Sequence, residues 1–175
     1  MRKYSELEIK EKVKIALGML LENDAFLLEH DVNERSISHK LAEYLQQLFP
    51  DYHVDCEYNW QIDDPYNKEI FLTPEEERYF YPKTNEEKIK DQNAHTVYPD
   101  IIIHRRGHNE DNLLIIEMKK TSNKDERARE RDKLKLGKYK DKFDYEYILL
   151  LDIPTNGEFN LKAYRDIDTK LNGKE

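Results

Sequence analysis

Two short apolar runs separated by a polar turn limit most strongly what this chain can fold into. The runs lie at residues 101–103 and 113–116 and are rich in isoleucine and leucine. Runs of this length and composition are typical of buried strands. We therefore predict adjoining strands at about 98–105 and 112–119, joined by a turn around Gly107.

Charged side chains stand in both predicted strands, at positions that share one face. Side chains alternate along a strand, so Glu117 and Lys119 point the same way. A hairpin centred between residues 108 and 109 would place Asp100 opposite Glu117, with Cβ atoms about 4.5–5.5 Å apart. The pattern predicts two carboxylates side by side on the sheet.

Two carboxylates this close repel each other, and burying them costs several kcal/mol unless positive charge intervenes. Their hard oxygen atoms suit Mg²⁺ or Mn²⁺, which favour sites completed by phosphate. Lys119 could hold that phosphate or help to deprotonate an attacking water. Asp100 and Glu117 thus predict metal-assisted cleavage of a phosphodiester. The alternative is that these charges simply reach solvent at the strand ends.

Helical and strand periodicities predict the remaining elements of the chain. In chain order these are a helix over 5–22, a helix from Asn33 to Phe49, a strand over 52–60, a polar insertion or flap over 61–96 with a helical turn near 74–80, a basic helix over 123–142 with Asn123 as its cap, a buried strand over 145–153 and a last strand near 158–165. With the hairpin, this order predicts one α/β domain with an α+β mixed sheet over residues 1–175, in which residues 1–30 form an N-terminal helical extension.

The charge of the chain limits its partners. A formal net charge of -8 argues against a surface that grips nucleic acid everywhere. Residues 119–142, however, hold 11 Lys and Arg against 5 Asp and Glu, so this segment carries an excess of six positive charges. A nucleic-acid contact is expected along this basic helix.

Cysteine, histidine and apolar content exclude several classes of protein. The single Cys56 allows no internal disulfide and no cysteine-based zinc cluster, which suits a reducing cytoplasm. No apolar stretch approaches the roughly 20 residues of a membrane span, so we expect no membrane partner. The six histidines lack zinc-site spacing, and His39, His95 and His104 remain candidates for a proton shuttle or for ordinary surface and core positions.

Pro99-Asp100, the hairpin and Glu117-Met118-Lys119 together resemble the signature of the PD-(D/E)xK nuclease superfamily. The resemblance covers residues from about 33 to 153. It implies a restriction-endonuclease-like αβββαβ core, here with an extra N-terminal helix and a long insertion between the first and second strands. It also implies that many relatives work as dimers, so a homodimer is an expected partner.

The same resemblance implies roles for individual residues. Asp100 and Glu117 would bind the metal through their carboxylates and Met118 through its backbone carbonyl, while Lys119 would be catalytic. Many members add an acid from the first core helix, and Glu34 stands at that position. Some exonuclease-like members carry Gln-xxx-Tyr on the helix after the ExK strand, where this chain has Lys135 and Tyr139.

Three functions follow as hypotheses. The first is an Mg²⁺-dependent nuclease acting on nucleic acid, with DNA preferred, in which the basic helix region contacts the backbone through Lys120, Arg127, Arg131 and Lys135. The second is a catalytically inactive nuclease-fold domain that serves as a binding or interaction module. The third is a metal-dependent phosphohydrolase of small substrates.

Overall fold

The structure is a computed structural model that describes residues 3–60, 68–80, 94–156 and 172–173. Within these ranges the helices are α1 (Glu6–Asn23), α2 (Ala25–Glu29), α3 (Glu34–Leu48), α4 (Pro74–Phe80) and α5 (Glu126–Phe143). The strands are β1 (His53–Cys56), β2 (Glu69–Phe71), β3 (Ala94–Thr96), β4 (Ile101–Arg105), β5 (His108–Lys120), β6 (Tyr147–Ile153) and β7 (Asn172–Gly173).

The main sheet is mixed and runs in the order β1-β4-β5-β6-β7. Strand β4 pairs antiparallel with both β1 and β5, whereas β5 pairs parallel with β6. The parallel step requires a crossover, and α5 provides it. Strands β2 and β3 form a separate antiparallel pair. The predicted α/β class with a mixed sheet is therefore confirmed.

Each face of the main sheet is covered by helices. Helices α1 and α3 share one buried cluster with alternate residues of β4 and β5, among them Ile101 and Ile116. Helix α5 covers the other face, where Leu136 and Tyr139 join Ile102 in a second cluster. Fully burying each such aliphatic side chain contributes about 1.5–3 kcal/mol, so this sandwiching is the main source of stability.

Local signals in the sequence set the ends of the helices. Ser5 caps α1 through a capping box with Glu8, and the Asn33 side chain caps α3 by accepting a hydrogen bond from Ser36 N. Helix α3 ends before Pro50, as expected. The predicted cap of α5 is wrong: Asp125, not Asn123, accepts the capping hydrogen bond from Ala128 N.

The hairpin keeps the predicted register near the site but not at its tip. Ile101 pairs with Ile116, as predicted, yet the register shifts on both sides of His104. The turn falls at Arg106 and Gly107, so the turn predicted around Gly107 is confirmed, and Gly107 adopts a φ of 83° that suits glycine. The assumed centre of the hairpin between residues 108 and 109 is wrong.

The first strand is shorter than predicted. The strand expected over 52–60 ends at Cys56, because Glu57 has a φ of 48° and turns the chain out of the ladder. The helical turn expected near 74–80 is confirmed as α4. Residues 61–67 and 81–93 of the predicted flap, and the strand predicted near 158–165, lie outside the described residues.

In the part of the chain that the structure describes, no helix combines the length and apolarity needed to cross a membrane.

Candidate active site

The hairpin brings Asp100 and Glu117 to one face of the sheet. Ile102 pairs with Ile115 across it, and both pack in the cluster beneath α5. Asp100 stands one residue before β4, and the pairing of Ile101 with Ile116, continued by one residue, places it beside Glu117. Both line one open cleft with a volume of about 770 Å³.

Charged residues dominate the walls of this cleft. Five acids and three bases line it: Glu34, Glu57, Asp100, Glu117, Asp132, Arg35, Lys119 and Lys135. The acids outnumber the bases by two. A cation is therefore the ligand that the charge of the cleft favours.

Glu117 is the most deeply buried acid of the cleft, at 2% exposure. Its Oε1 atom has no hydrogen-bond partner among the described residues. Burial raises the pKa of Glu117 well above its usual value, and the charges of Asp100 and Asp132 raise it further. A buried carboxyl with an open oxygen requires a proton or a cation to offset its charge.

Asp100 shares this environment but has one partner. Burial raises the pKa of Asp100, while a hydrogen bond from the Met118 backbone N–H opposes the shift. That bond measures 2.7 Å from Met118 N to Asp100 Oδ2. It ties the carboxylate to strand β5 beside Glu117.

Lys119 stands between two carboxylates at the edge of the cleft. Its Nζ lies 2.9 Å from Glu34 Oε1 and 2.9 Å from Asp132 Oδ2. Burial lowers the pKa of Lys119, but the hydrogen bonds to these two carboxylates outweigh burial and raise the pKa above the usual value. The ammonium is therefore held charged, which suits binding an anion better than accepting a proton.

Glu34 reaches the sheet from the first turn of α3. One of its oxygens pairs with Lys119, and the other accepts a hydrogen bond from Lys120 N at 3.1 Å. Glu34 thus faces the sheet from the head of the buried stripe of α3. An acid in the first helical turn also gains from the helix dipole, so its position is stable without any ligand.

Asp132 is, with Glu57, one of two acids of the cleft that the sequence analysis missed. It projects from α5, is 4% exposed, and pairs with Lys135 at 3.2 Å as well as with Lys119. Its signal in the sequence is spacing: Asp132 heads the buried stripe that continues with Leu136 and Tyr139. Glu34 heads the stripe of α3 in the same manner.

Tyr139 lies on α5, as Asp132 does, and is buried close to Glu117. Burial raises the pKa of Tyr139, and the neighbouring charge of Glu117 adds to the shift. The hydroxyl is buried, and hydrogen bonding with the Glu117 carboxylate also contributes to the raised pKa of Tyr139.

The four residues proposed to contact nucleic acid occupy different settings. Lys135 lines the cleft, whereas Lys120 Nζ lies 3.0 Å from Asp31 Oδ1 on the α3 side. Arg127 is exposed and lies over the Tyr79 ring at 5.4 Å, and Arg131 is half-buried. Only Lys135 is brought to the acid pair.

The two candidate histidines whose side chains the structure describes do not line the cleft. His104 is buried, and its Nε2 lies 2.9 Å from Asp55 Oδ2. His39 is exposed and pairs with Glu43 at 3.3 Å. The side chain of His95 lies outside the described residues.

The donor set of the cleft fits a hard divalent cation. Asp100 and Glu117 offer carboxylate oxygens, and Oε1 of Glu117 accepts no hydrogen bond of normal geometry from the described residues. Oxygen donors of this kind suit Mg²⁺ or Mn²⁺. No cysteine or histidine is among the described residues that line the cleft, which disfavours Zn²⁺. Comparisons with protein-family models, curated proteins and solved structures found no match to this chain.

Proposed function

We propose that this protein is a divalent-metal-dependent nuclease that hydrolyses phosphodiester bonds in DNA. Asp100 and Glu117 would hold Mg²⁺ or Mn²⁺ with the carbonyl of Met118, and Glu34 would assist. When bound, the ion would lower the pKa of a water molecule and offset negative charge on the phosphodiester.

The open oxygen of Glu117 is the observation that carries this proposal. A carboxyl that is 2% exposed and has an unpartnered oxygen is costly in a purely structural role. Its neighbour Asp100 is also desolvated, and the two open into one cleft. A cation bound between them would relieve both costs.

Lys119 fits the role of an electrostatic anchor. The two carboxylates beside it keep its ammonium charged, so it can bind a phosphate oxygen or orient the attacking water. Proton abstraction by Lys119 is disfavoured while Glu34 and Asp132 remain its partners.

The order of elements supports the same proposal. Helix α3, strands β1, β4 and β5, helix α5 and strand β6 follow one another as α-β-β-β-α-β in the main sheet. This is the order that the resemblance to the PD-(D/E)xK superfamily implies for its core. The small pair β2 and β3 with α4 falls between the first and second of these strands, where an insertion was expected.

The test is cleavage of supercoiled plasmid and of single-stranded circular DNA with Mg²⁺ or Mn²⁺. We expect wild-type protein to cut at least one of them only when the metal is present. Glu117→Gln and Asp100→Asn should abolish cutting, and Lys119→Ala should lower it about 100-fold or more, since electrostatic groups of this kind contribute at that scale.

Lys133→Ala supplies the matched control, because Lys133 is an exposed residue of α5 outside the cleft. This variant should cut as the wild type does. If Lys119→Ala cuts equally well, the role of Lys119 is wrong; if Glu117→Gln does, the activity comes from elsewhere.

A second candidate is a nuclease-like domain that binds partners without cutting. Among the described residues, the three ligand side chains whose donor atoms all lie within 4.8 Å of one another are His108, Glu110 and Asp111 at the hairpin tip. No three carboxylates of the cleft form such a group among the described residues. Calorimetric titration with Mn²⁺ separates the two candidates. A nuclease should bind Mn²⁺ saturably, and Glu117→Gln should remove that binding. An inactive scaffold should show no such Glu117-dependent binding.

A further inference from the structure

Tyr98 presents an aromatic ring at the mouth of the cleft. It lines the same cleft as the acid pair and remains 53% exposed. It precedes Asp100 by two residues in the chain. Because the ring is exposed, it does not contribute to the buried core of the protein.

The backbone that carries Tyr98 is held on both sides. Val97 is buried and its N–H donates to Lys68 O at 2.9 Å. Pro99 is buried, and its carbonyl accepts a hydrogen bond from Glu57 N at 3.0 Å. The backbone at Tyr98 is therefore already ordered, so the binding of a ligand to the ring costs little additional conformational entropy of the chain.

A fixed, exposed aromatic ring is the feature on which unpaired bases stack. In a duplex, neighbouring bases cover each base face, and unstacking one costs a few kcal/mol. We propose that the cleft takes single-stranded DNA and that Tyr98 stacks on the base next to the phosphate that enters between Asp100 and Lys119. This inference rests on the proposed nuclease function for the identity of that phosphate.

The charges of the molecule point to the same substrate. Duplex DNA carries one negative charge per about 1.7 Å of axis, twice the linear density of one strand. The cleft has two more acids than bases, and the chain carries -8 overall. A single strand therefore meets less repulsion than a duplex on its way to the acid pair.

Arg35 supplies a positive group beside this path. It lines the cleft, its side chain is 81% exposed, and its Nε lies 2.7 Å from Glu57 Oε1. Arginine has five N–H donors, so its outer nitrogen atoms can bind a phosphate while Nε holds Glu57. A phosphate contact of this kind would serve single strands and duplexes alike.

The experiment measures binding separately from cutting. Fluorescence anisotropy with a labelled DNA oligonucleotide, and with the same oligonucleotide in duplex form, would be recorded in EDTA on a Glu117→Gln background. We expect tighter binding of the single strand. Tyr98→Ala should weaken single-strand binding about fivefold or more but duplex binding less than about twofold, whereas Tyr98→Phe should retain the affinity.

Arg35→Ala is the matched control for charge and should weaken both forms of DNA. Equal affinity for single strand and duplex would overturn the inference, as would unchanged single-strand binding by Tyr98→Ala. If the wild type cuts DNA but Tyr98→Ala binds single strands normally, this inference is rejected and the proposed nuclease function is kept. Tyr98-dependent single-strand binding without any metal-dependent cutting would reject the nuclease and keep the binding site.

Discussion

Glu117 combines two demands that oppose each other, stability of the folded chain and affinity for a cation. In strand β5 it occupies a position where an apolar residue would pack beneath Tyr139. Burial raises its pKa, so in the metal-free protein the Glu117 carboxyl lowers the free energy of unfolding. The same unsatisfied oxygen is what would bind a metal ion.

Replacing Glu117 with glutamine should therefore stabilise the metal-free protein. The neutral amide keeps the shape of the side chain and removes a buried ionisable group, so we expect the free energy of unfolding to rise by about 1–3 kcal/mol. Urea unfolding in EDTA at neutral pH measures this change. A loss of stability would show that the carboxylate is satisfied in solution.

Lys68 is a second buried charge, and it lies away from the acid pair. It is 3% exposed, donates to the Tyr145 hydroxyl at 3.2 Å, and has the rings of Tyr58 and Phe143 at 5.2 Å and 5.8 Å. Burial lowers the pKa of Lys68 to about 8. Cation–π contacts offset only part of the cost of desolvation.

The stability of the protein should respond to the titration of Lys68. The folded chain releases this proton near pH 8, whereas the unfolded chain keeps it up to about pH 10.5. Stability rises wherever the unfolded state binds more protons, so Lys68 adds up to about 1.4 kcal/mol per pH unit above pH 8. Thermal unfolding between pH 7 and 9.5 tests this, and Lys68→Met should remove the Lys68 part of the slope. An identical slope in the variant would contradict the prediction.

At the scale of elements, α5 is both a core helix and a wall of the cleft. Its buried stripe begins with Asp132 and continues through Leu136 and Phe143. The apolar end packs on the sheet, and this packing carries Asp132 to within 2.9 Å of Lys119. The basic residues of the helix lie mostly on its remaining faces.

Removing the apolar contact of α5 should cost stability in proportion to its burial. Leu136 is 3% exposed, so Leu136→Ala should lower the free energy of unfolding by about 2–5 kcal/mol. Lys133→Ala, on the exposed face of the same helix, should change it by less than about 0.5 kcal/mol. Chemical denaturation of both variants checks the pair, and similar values for the two would show that α5 does not pack as described.

At the scale of the whole molecule, folding and metal binding should be linked. A site assembled from α3, from β5 and from Asp100 just before β4 exists only in the folded chain, so an ion that binds it stabilises the fold. The excess of acids in the cleft adds to the attraction for a cation. The net negative charge on the rest of the surface contributes little to the binding of a cation at this site, because salt screens distant surface charges.

Mn²⁺ should therefore raise the stability of the protein in a saturable manner. At about 100 times the Kd, the free energy of unfolding should increase by about 2.7 kcal/mol. Differential scanning fluorimetry with increasing Mn²⁺ measures the shift in Tm. Asp100→Asn and Glu117→Gln should each abolish it, and a shift that persists in both variants would place the ion elsewhere.

Much of the site was predictable because it depends on local periodicity. Strand alternation puts residues 100 and 117 on one face in any antiparallel hairpin of the observed register. Asn33 caps α3, and that start places Glu34 at the head of its buried stripe. These features follow from backbone geometry over a few residues.

Other features depended on contacts between distant parts of the chain. Asp132 reaches Lys119 only because α5 crosses back over the sheet, and the irregularity around His104 changed the pairing register toward the hairpin tip. The burial of Glu117 likewise depends on how α5 packs above it. The sequence by itself determined which residues share a face, since that is a property of each strand or helix alone. Tertiary structure decided which charges meet and how far water is excluded from them, because both depend on the packing of separate elements.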